Sequence, residues 1–192
     1  MEAMPLLPKE EEVFPVELFE LDAERHPWGV AHVRSRQEKS LARFLAGRNV
    51  PFYLPQVENR RRRNGRDLVS HLPLFPGYLF FRGGAEAGEL VWRSNVAASV
   101  IEVADQASLG AELGQLRALQ LAGASLRVVE ELVAGDAVRV SGGAFAGYTG
   151  IIERQKGRDR LIVRVSLIQK AVAVEFERGL LTRVSSDMLF NR

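Results

Sequence analysis

The stretch from Leu72 to Arg82 constrains the fold more than any other part of this 192-residue chain. It holds four aromatic residues, two prolines and a glycine, the composition of a turn that runs into a β-strand. Side chains alternate along an extended chain, so Tyr78 and Phe80 share one face while Leu79 and Phe81 share the other. A strand that is apolar on both faces is either sandwiched within its own protein or offers one face to a partner. The sequence leaves both possibilities open.

Composition bounds the class of protein. With 46% hydrophobic residues, the chain can bury a substantial core as one domain or as two small ones. The absence of cysteine excludes disulfides, thiolate nucleophiles and cysteine-based zinc sites, and it fits the reducing cytoplasm in which we expect the protein to work. No apolar run approaches the ~20 residues of a membrane helix. Residues 10–12 are glutamates where a signal peptide would be basic and then apolar, so export is not expected.

Catalysis is not expected either. The three histidines, His26, His32 and His71, are isolated, and no pair of carboxylates has an interpretable spacing. The glycines near residues 142–147 fit a turn between strands rather than a phosphate-binding loop. We therefore predict a non-enzymatic protein with no cofactor and no metal.

Charge is distributed unevenly along the chain. Residues 1–24 hold eight acidic residues and one lysine, a net charge of −7, so the other 168 residues carry +9. A basic body indicates contact with polyanions, and an acidic segment attached to it can compete for the same surface. Residues 1–26, called the leader below, mix these acids with prolines and show no clear period. We predict that the leader is largely disordered, with a short segment at 16–21 that docks on the body.

The pattern after the leader predicts strands that alternate with helices. Ser35 and Glu38 have the spacing of a capping box, so a helix should begin there. Residues 50–57 hold two prolines and indicate an edge strand or an irregular extended segment. The other predicted elements are strands at 28–34, 78–82 and 99–103 and helices at 87–92 and 109–121. Helices over a small antiparallel sheet form an α/β sandwich, which we predict for residues 27–122.

A basic run marks the tip of a predicted hairpin. Its arginines flank Asn64 and Gly65, the pair most typical of a two-residue hairpin turn. So many arginines with almost no neighbouring acid indicate a nucleic-acid contact, because a guanidinium grips phosphate through a planar fork. A solvated loop is the alternative. The arginines are Arg60, Arg61, Arg62, Arg63 and Arg66.

The residue pattern of the sequence changes in the last third of the chain. Short β-branched runs recur about ten residues apart and are separated by glycines, a spacing typical of a small β-barrel. The runs are 138–140, 150–152, 161–165 and 172–174. We predict a linker at 123–131 and a barrel at 132–185. The predicted fold class is therefore α+β, an N-terminal α/β sandwich with an antiparallel sheet followed by a small barrel.

These segments resemble the NusG family of transcription elongation factors. The first part resembles the NusG N-terminal domain in the strand that opens at Trp28, in residues 53–55 (Tyr-Leu-Pro), in the basic hairpin and above all in residues 75–78 (Phe-Pro-Gly-Tyr). The second part resembles a KOW domain over residues 135–150, so the predicted barrel is of the KOW type. The segment 167–170 (Leu-Ile-Gln-Lys), the long hairpin and the acidic leader are similar to the specialised RfaH-like paralogs.

The resemblance implies an elongation and antitermination factor that binds the clamp helices of the largest catalytic RNA polymerase subunit and suppresses pausing. The residues that match the clamp-binding surface are Phe75, Pro76, Tyr78 and Phe80. Contact with the non-template DNA strand is implied for Arg34, and charge alone adds Arg36, Arg43 and the five hairpin arginines. We expect a monomer with no membrane partner. The alternative function is a KOW-containing RNA-binding protein that acts on ribosomes, because such barrels also occur in ribosomal proteins.

A KOW domain also implies a second protein partner, either Rho or a small-subunit ribosomal protein. Ile168 matches the apolar position of that contact, and Phe145 lies nearby in the motif. Barrel core is the alternative role for both residues. RfaH-like proteins can hold this domain as a helical hairpin, but the density of valine and isoleucine at 161–165 and 172–174 predicts strands.

Overall fold

The computed structural model describes residues 10–63, 66–129, 136–141, 146–155, 158–176 and 181–183. The chain separates into two compact units, residues 1–104 and residues 105–192. Both units are built on antiparallel sheets, and three α-helices occur among the described residues. The mixed α+β class predicted from the sequence is confirmed.

The first unit is a five-stranded sheet with two helices and a projecting hairpin. Its strands form the order β1-β3-β6-β2-β7, every neighbouring pair antiparallel, while β4 and β5 make a separate two-stranded sheet. In chain order the described elements are β1 (Val13–Phe14), a 3-10 turn (Leu18–Glu20), β2 (Trp28–Val33), α1 (Glu38–Ala46), β3 (Phe52–Tyr53), β4 (Gln56–Arg63), β5 (Arg66–Pro73), β6 (Tyr78–Arg82), α2 (Gly84–Arg93) and β7 (Ala97–Glu102).

One face of the five-stranded sheet packs against α1 and α2. Leu79 and Phe81 of β6 join Leu41 of α1 and Val91 of α2 in a single hydrophobic core. Gly29 lies opposite Phe81 in the register of β2 and β6, and a Cβ at position 29 would overlap the Phe81 ring. The predicted alternation of β6 is therefore observed, with Leu79 and Phe81 together on the face that packs against the helices.

Residues 10–26 correct the prediction of a disordered leader. β1 pairs with β3, Phe14 stacks on Phe52 with ring centroids 6.0 Å apart, and Leu18 in the 3-10 turn is fully buried (0% exposed). Most of the acids that suggested disorder are exposed between these apolar anchors. Burial of each large apolar side chain contributes ~1.5–3 kcal/mol and so favours docking of this segment on the sheet.

The second unit is a six-stranded antiparallel sheet with one helix. In chain order its described elements are α3 (Gln106–Leu121), β8 (Leu126–Val129), β9 (Asp136–Val140), β10 (Thr149–Gln155), β11 (Arg158–Val165), a 3-10 turn (Ser166–Ile168), β12 (Lys170–Phe176) and β13 (Leu181–Arg183). The strand order is β13-β9-β10-β11-β12-β8. The predicted closed barrel is not confirmed, because within the described ranges no pairing joins β13 to β8 and the sheet stays open.

Two elements differ from the predicted domain organisation. The sequence places α3 in the first domain, but α3 packs on β11 in the second unit. Glu112 of α3 accepts the N–H and the O–H of Ser166, at 3.0 and 2.6 Å, and Gln115 donates to the carbonyl of Thr149 at 2.9 Å. Residues 126–129, predicted as linker, form β8 and pair with β12. An apolar helix face fits either sheet, so periodicity predicts the helix but not its partner.

Candidate functional site

The sheet face opposite α1 and α2 carries a cluster of aromatic rings. Phe75 and Phe80 meet edge to face with centroids 6.2 Å apart, and the ring of Phe80 lies 6.3 Å from that of Tyr53. Phe19 of the leader extends the cluster, since its ring lies 5.3 Å from Tyr53 and 5.8 Å from Trp28. Such offset and edge-to-face contacts are typical of a protein interior.

The four residues predicted to bind a partner divide into two pairs. Phe75 and Phe80 are only 1% and 0% exposed, so they lie in the interior of the folded chain. Pro76 is exposed and Tyr78 is half-buried, so these two reach the surface. His32 pairs with Tyr78 across the strands, and the two rings lie 5.1 Å apart. Sequence reasoning treated His32 as an isolated histidine, because only the β2–β6 register brings it to this site.

The turn that presents Pro76 and Tyr78 is held by Glu38. Gly77 has φ +86°, a conformation that favours glycine, and its N–H donates to the Glu38 carboxylate at 2.6 Å. Its carbonyl accepts the N–H of Val33 at 2.8 Å. The predicted capping box with Ser35 is wrong. The N-cap of helix α1 is Gln37, whose side chain makes no capping bond. The buried Glu38 carboxylate accepts the Gly77 N–H of the turn instead of closing a capping box.

Arg82 is a buried cation on the same face as Phe80. Its guanidinium donates to three carbonyls before β2, those of His26 at 2.6 Å, Leu18 at 2.9 Å and Asp22 at 3.2 Å. It also lies over Trp28, 5.0 Å from the ring centroid. Burial lowers the pKa of Arg82 from its ordinary value, and the charge of Asp22 partly opposes this. Arg82 therefore joins the leader to β6, a role that the sequence alone did not suggest.

The hairpin forms as the Asn-Gly pair predicts. β4 and β5 pair from Gln56 with Pro73 at the base to Arg63 with Arg66 at the tip. The turn residues Asn64 and Gly65 lie outside the described residues. The side chains of Arg60, Arg61 and Arg62 are exposed.

Strand alternation gives this hairpin two unlike faces. On one face Arg60 forms an ion pair with Glu58, which raises the pKa of Arg60 chiefly through their hydrogen bond. On the other face Arg61 lies opposite Leu68 in the register, and both Leu68 and Leu72 are exposed. The charge of Arg60 is thus partly compensated within the hairpin. Arg61 has no ion pair among the described residues.

The remaining predicted nucleic-acid residues lie on neighbouring elements of the first unit. Arg34 follows β2, Arg36 occupies the loop before α1 with φ +63°, and Arg43 lies on α1. All three side chains are exposed. Arg43 forms an ion pair with Glu10 of the leader. The charge of Arg43, one of the predicted nucleic-acid-binding residues, is thus already paired with an acid of the leader.

Of the two predicted partner residues of the second unit, the structure describes one, Ile168, and its side chain is buried. Ile168 is 6% exposed and ends the 3-10 turn after β11, which is the environment of a core side chain. Phe145 lies outside the described residues. Across the described ranges, no group of three or more His, Asp or Glu side chains could hold a metal ion. Within the same ranges, no helix has the length and apolar character needed to cross a membrane.

The first unit is similar to a known family over most of its length. Residues 26–102 match the family model described as NusG, transcription termination factor nusG. This part of the chain therefore resembles a NusG-family domain and is called the NusG domain below. The family is one of transcription factors, which fits the expectation that the protein is not an enzyme. No curated protein sequence matches the chain.

Two solved structures resemble the chain weakly. A structure of Thermotoga maritima NusG, described as showing its domain interaction, is 18% identical, covers 85% of this chain and 100% of its own, and has a TM-score of 0.48. An MjSpt4:Spt5 complex in conformation B is 12% identical, covers 83% of this chain and 97% of its own, and has a TM-score of 0.27. Neither overlap is close enough to define the architecture of this chain.

Some features of the first unit lie inside the matched residues 26–102 and others lie before them. The turn at Pro76–Tyr78, the hairpin and the arginines from Arg34 to Arg66 all fall inside the matched residues. The match begins at residue 26, so β1 and the 3-10 turn of the leader lie before it. The aromatic face thus belongs to the NusG domain, whereas the segment that packs on it does not.

Proposed function

We propose that this protein is a transcription elongation factor that binds RNA polymerase through the end of β6 in its NusG domain. The observation that carries the proposal is the position of Pro76 and Tyr78, which lie inside the matched domain and reach the surface on a turn held by Glu38 and Gly77. Tyrosine is favoured at interfaces because it buries a large apolar ring and keeps a polar end at the rim. A rigid turn reduces the entropy lost on docking.

The finer parts of the proposal follow from the resemblance of the sequence to specialised NusG paralogs. We propose that the partner surface is the pair of clamp helices in the largest catalytic polymerase subunit, and that binding suppresses pausing and supports antitermination. An RfaH-like assignment is supported by the long basic hairpin, by residues 167–170 and by the acidic leader.

The hairpin and the neighbouring arginines are proposed to contact the non-template DNA strand near the polymerase. Arg61 is the strongest candidate on the hairpin, because it is exposed and shares its face with leucines rather than with an acid. Arg34 and Arg36 are exposed just after β2 and add positive charge to the same unit. The proposal does not extend to recruitment of a second protein through Ile168, because that side chain is buried.

Equilibrium binding to purified RNA polymerase tests this function. Replacing Tyr78 with alanine should weaken binding about tenfold or more, because truncating a central interface tyrosine costs roughly 1.5–3 kcal/mol. Trp92 is the matched control, since it is an exposed aromatic (52%) on α2, outside the proposed surface. Trp92→Ala should bind like the parent. Equal binding by Tyr78→Ala and the parent would contradict the proposal, and ribosome binding in its place would favour the alternative function.

A further inference from the structure

The leader forms an added edge strand and an outer layer on the NusG domain. Leu54 donates its N–H to the carbonyl of Glu12 at 2.6 Å, and the Gln56 side chain donates to the carbonyl of Glu10 at 3.1 Å. These bonds continue the pairing of β1 with β3. Leu18, a few residues further on, is completely buried. The segment is therefore docked, although it precedes the matched domain.

The leader covers the outer members of the aromatic cluster. Phe19 packs on Trp28 and on Tyr53, and Tyr53 in turn contacts Phe80. Phe80 contacts Phe75, so the two buried residues of the predicted polymerase surface lie at the inner end of the same chain of rings. Removing Phe19 would uncover the Tyr53 end of this cluster.

Arg82 supplies a second attachment that depends on the leader. Two of its three carbonyl acceptors, those of Leu18 and Asp22, belong to the segment before residue 26. A buried guanidinium needs such acceptors because an uncompensated charge in the interior is costly. On release of the leader, water can replace these carbonyls once Arg82 becomes exposed. These bonds can thus be exchanged for bonds to water when the leader is released.

The leader is also acidic enough to compete with polyanions for the basic surface of the NusG domain. Residues 10–24 hold seven acids and neither lysine nor arginine. One of these acids, Glu10, pairs with Arg43. An acidic segment that binds its own basic domain lowers the domain's affinity for external polyanions through a high effective concentration.

We propose that the leader is an intramolecular competitor that covers the aromatic cluster on the same sheet face as Tyr78 and must be displaced for full polymerase binding. The inference rests on the proposed function, since it assumes that this domain binds polymerase. Displacement exposes Trp28, Tyr53 and the Phe80 side of the cluster to an apolar surface of the polymerase. If the domain binds polymerase only when the leader is released, its apparent affinity equals the intrinsic affinity multiplied by the fraction of molecules with a released leader.

Two aspartate substitutions in the leader distinguish the effect of displacing the leader from the effect of adding a negative charge. Leu18→Asp puts a carboxylate into a fully buried position and should release the leader, whereas Val16→Asp adds the same charge at a site that is 88% exposed. Both are made in a Trp92→Phe background, so that Trp28 is the single tryptophan. Leu18→Asp should shift the Trp28 emission to the red and increase its quenching by acrylamide. It should also tighten binding to purified RNA polymerase at least fivefold, and Val16→Asp should change neither property.

A protease recognition site inserted between Glu24 and Arg25 provides a second variant that folds before the leader is cut. Cleavage and removal of the leader should expose Trp28 and tighten polymerase binding as Leu18→Asp does, with the strand content in circular dichroism unchanged. If the parent binds polymerase and release exposes Trp28 without tightening binding, the inference is wrong and the proposed function stands. If neither the parent nor the released domain binds polymerase, the proposed function is wrong as well.

Discussion

Gly77 donates its backbone N–H to the buried carboxylate of Glu38 across 2.6 Å, which ties the first residue of α1 to the turn before β6. The two residues are 39 positions apart in the sequence. The bond places a carboxylate at the N-terminus of a helix, where the helix dipole favours negative charge. It also fixes the turn that carries Pro76 and Tyr78, so a helix residue positions the proposed docking site.

We expect Glu38→Ala to destabilise the first unit and to loosen this turn. The substitution leaves the Gly77 N–H without its acceptor, at a cost of about 1–3 kcal/mol in the free energy of unfolding. Glu38→Gln keeps a carbonyl oxygen at the same position and should lose less than half as much. Urea denaturation of both variants measures the difference. Equal losses would mean that the carboxylate acts through its charge rather than through this hydrogen bond.

Arg82→Met should lower the free energy of unfolding of the first unit by about 1.5–3 kcal/mol, because hydrogen bonds to a charged group are lost and three carbonyls lose their donor. Methionine keeps much of the apolar stem. Arg93→Met is the matched control, since Arg93 is exposed and pairs with Glu89 one helical turn away. A surface pair of this kind contributes at most about 1 kcal/mol. Similar losses in the two variants would show that the Arg82 contacts with the leader add little.

The two faces of the hairpin should respond differently to loss of an arginine. The slope of log affinity for single-stranded DNA against log salt concentration is negative, and Arg61→Ala should reduce its magnitude by about 0.7, the value for one phosphate contact. Arg60→Ala should change the slope less, because Glu58 already compensates Arg60. Fluorescence anisotropy with a labelled oligonucleotide over a range of salt concentrations gives both slopes. An unchanged slope in Arg61→Ala would make the hairpin a solvated loop, the alternative that its sequence left open.

Glu112 should make the stability of the second unit depend on pH. Burial raises the pKa of Glu112 above its ordinary value of 4.5, and the two hydrogen bonds from Ser166 only partly offset this. Its protonated form therefore favours folding. The contribution is complete below pH 4.5 and is lost as the pH rises through the raised pKa.

Glu112→Gln removes this titration. The unfolding free energy of the parent should fall relative to that of Glu112→Gln as the pH rises through that window, and the difference should be constant above it. Chemical denaturation at a series of pH values measures the difference, with the exposed Glu86→Gln as a control for net charge. A difference that does not change with pH would contradict the assignment.

Local patterns in the sequence were sufficient to predict most helices and strands, but they did not predict the contacts between distant segments. The alternation in β6 correctly placed Leu79 and Phe81 on one face of the strand, and the structure shows that this face packs against α1 and α2. The alternation could not show that Phe80 is buried on the other side, because its contacts there are with the rings of Tyr53 and Phe75, and that of Tyr53 depends on tertiary structure. The helical period of α3 was equally clear, yet its sheet depends on tertiary contacts such as that between Glu112 and Ser166.

The proposed site was predictable in part for the same reason. Residues 75–78 were identified as the candidate surface, and Pro76 and Tyr78 do reach it. His32 and Glu38 join them only through strand register and a long-range hydrogen bond, which leave no mark in the local sequence. A buried arginine such as Arg82 is also indistinguishable in sequence from an exposed one, since its acceptors are backbone carbonyls.

Photocrosslinking from position 78 tests the central proposal most directly. Tyr78 is replaced by p-benzoylphenylalanine, the protein is mixed with purified RNA polymerase elongation complexes, and the adduct is mapped by mass spectrometry. The same replacement at Trp92 is the control. We predict a crosslink from position 78 to the clamp helices of the largest catalytic subunit and none from position 92. No adduct from position 78, or equal adducts from both positions, would contradict the assignment of this surface.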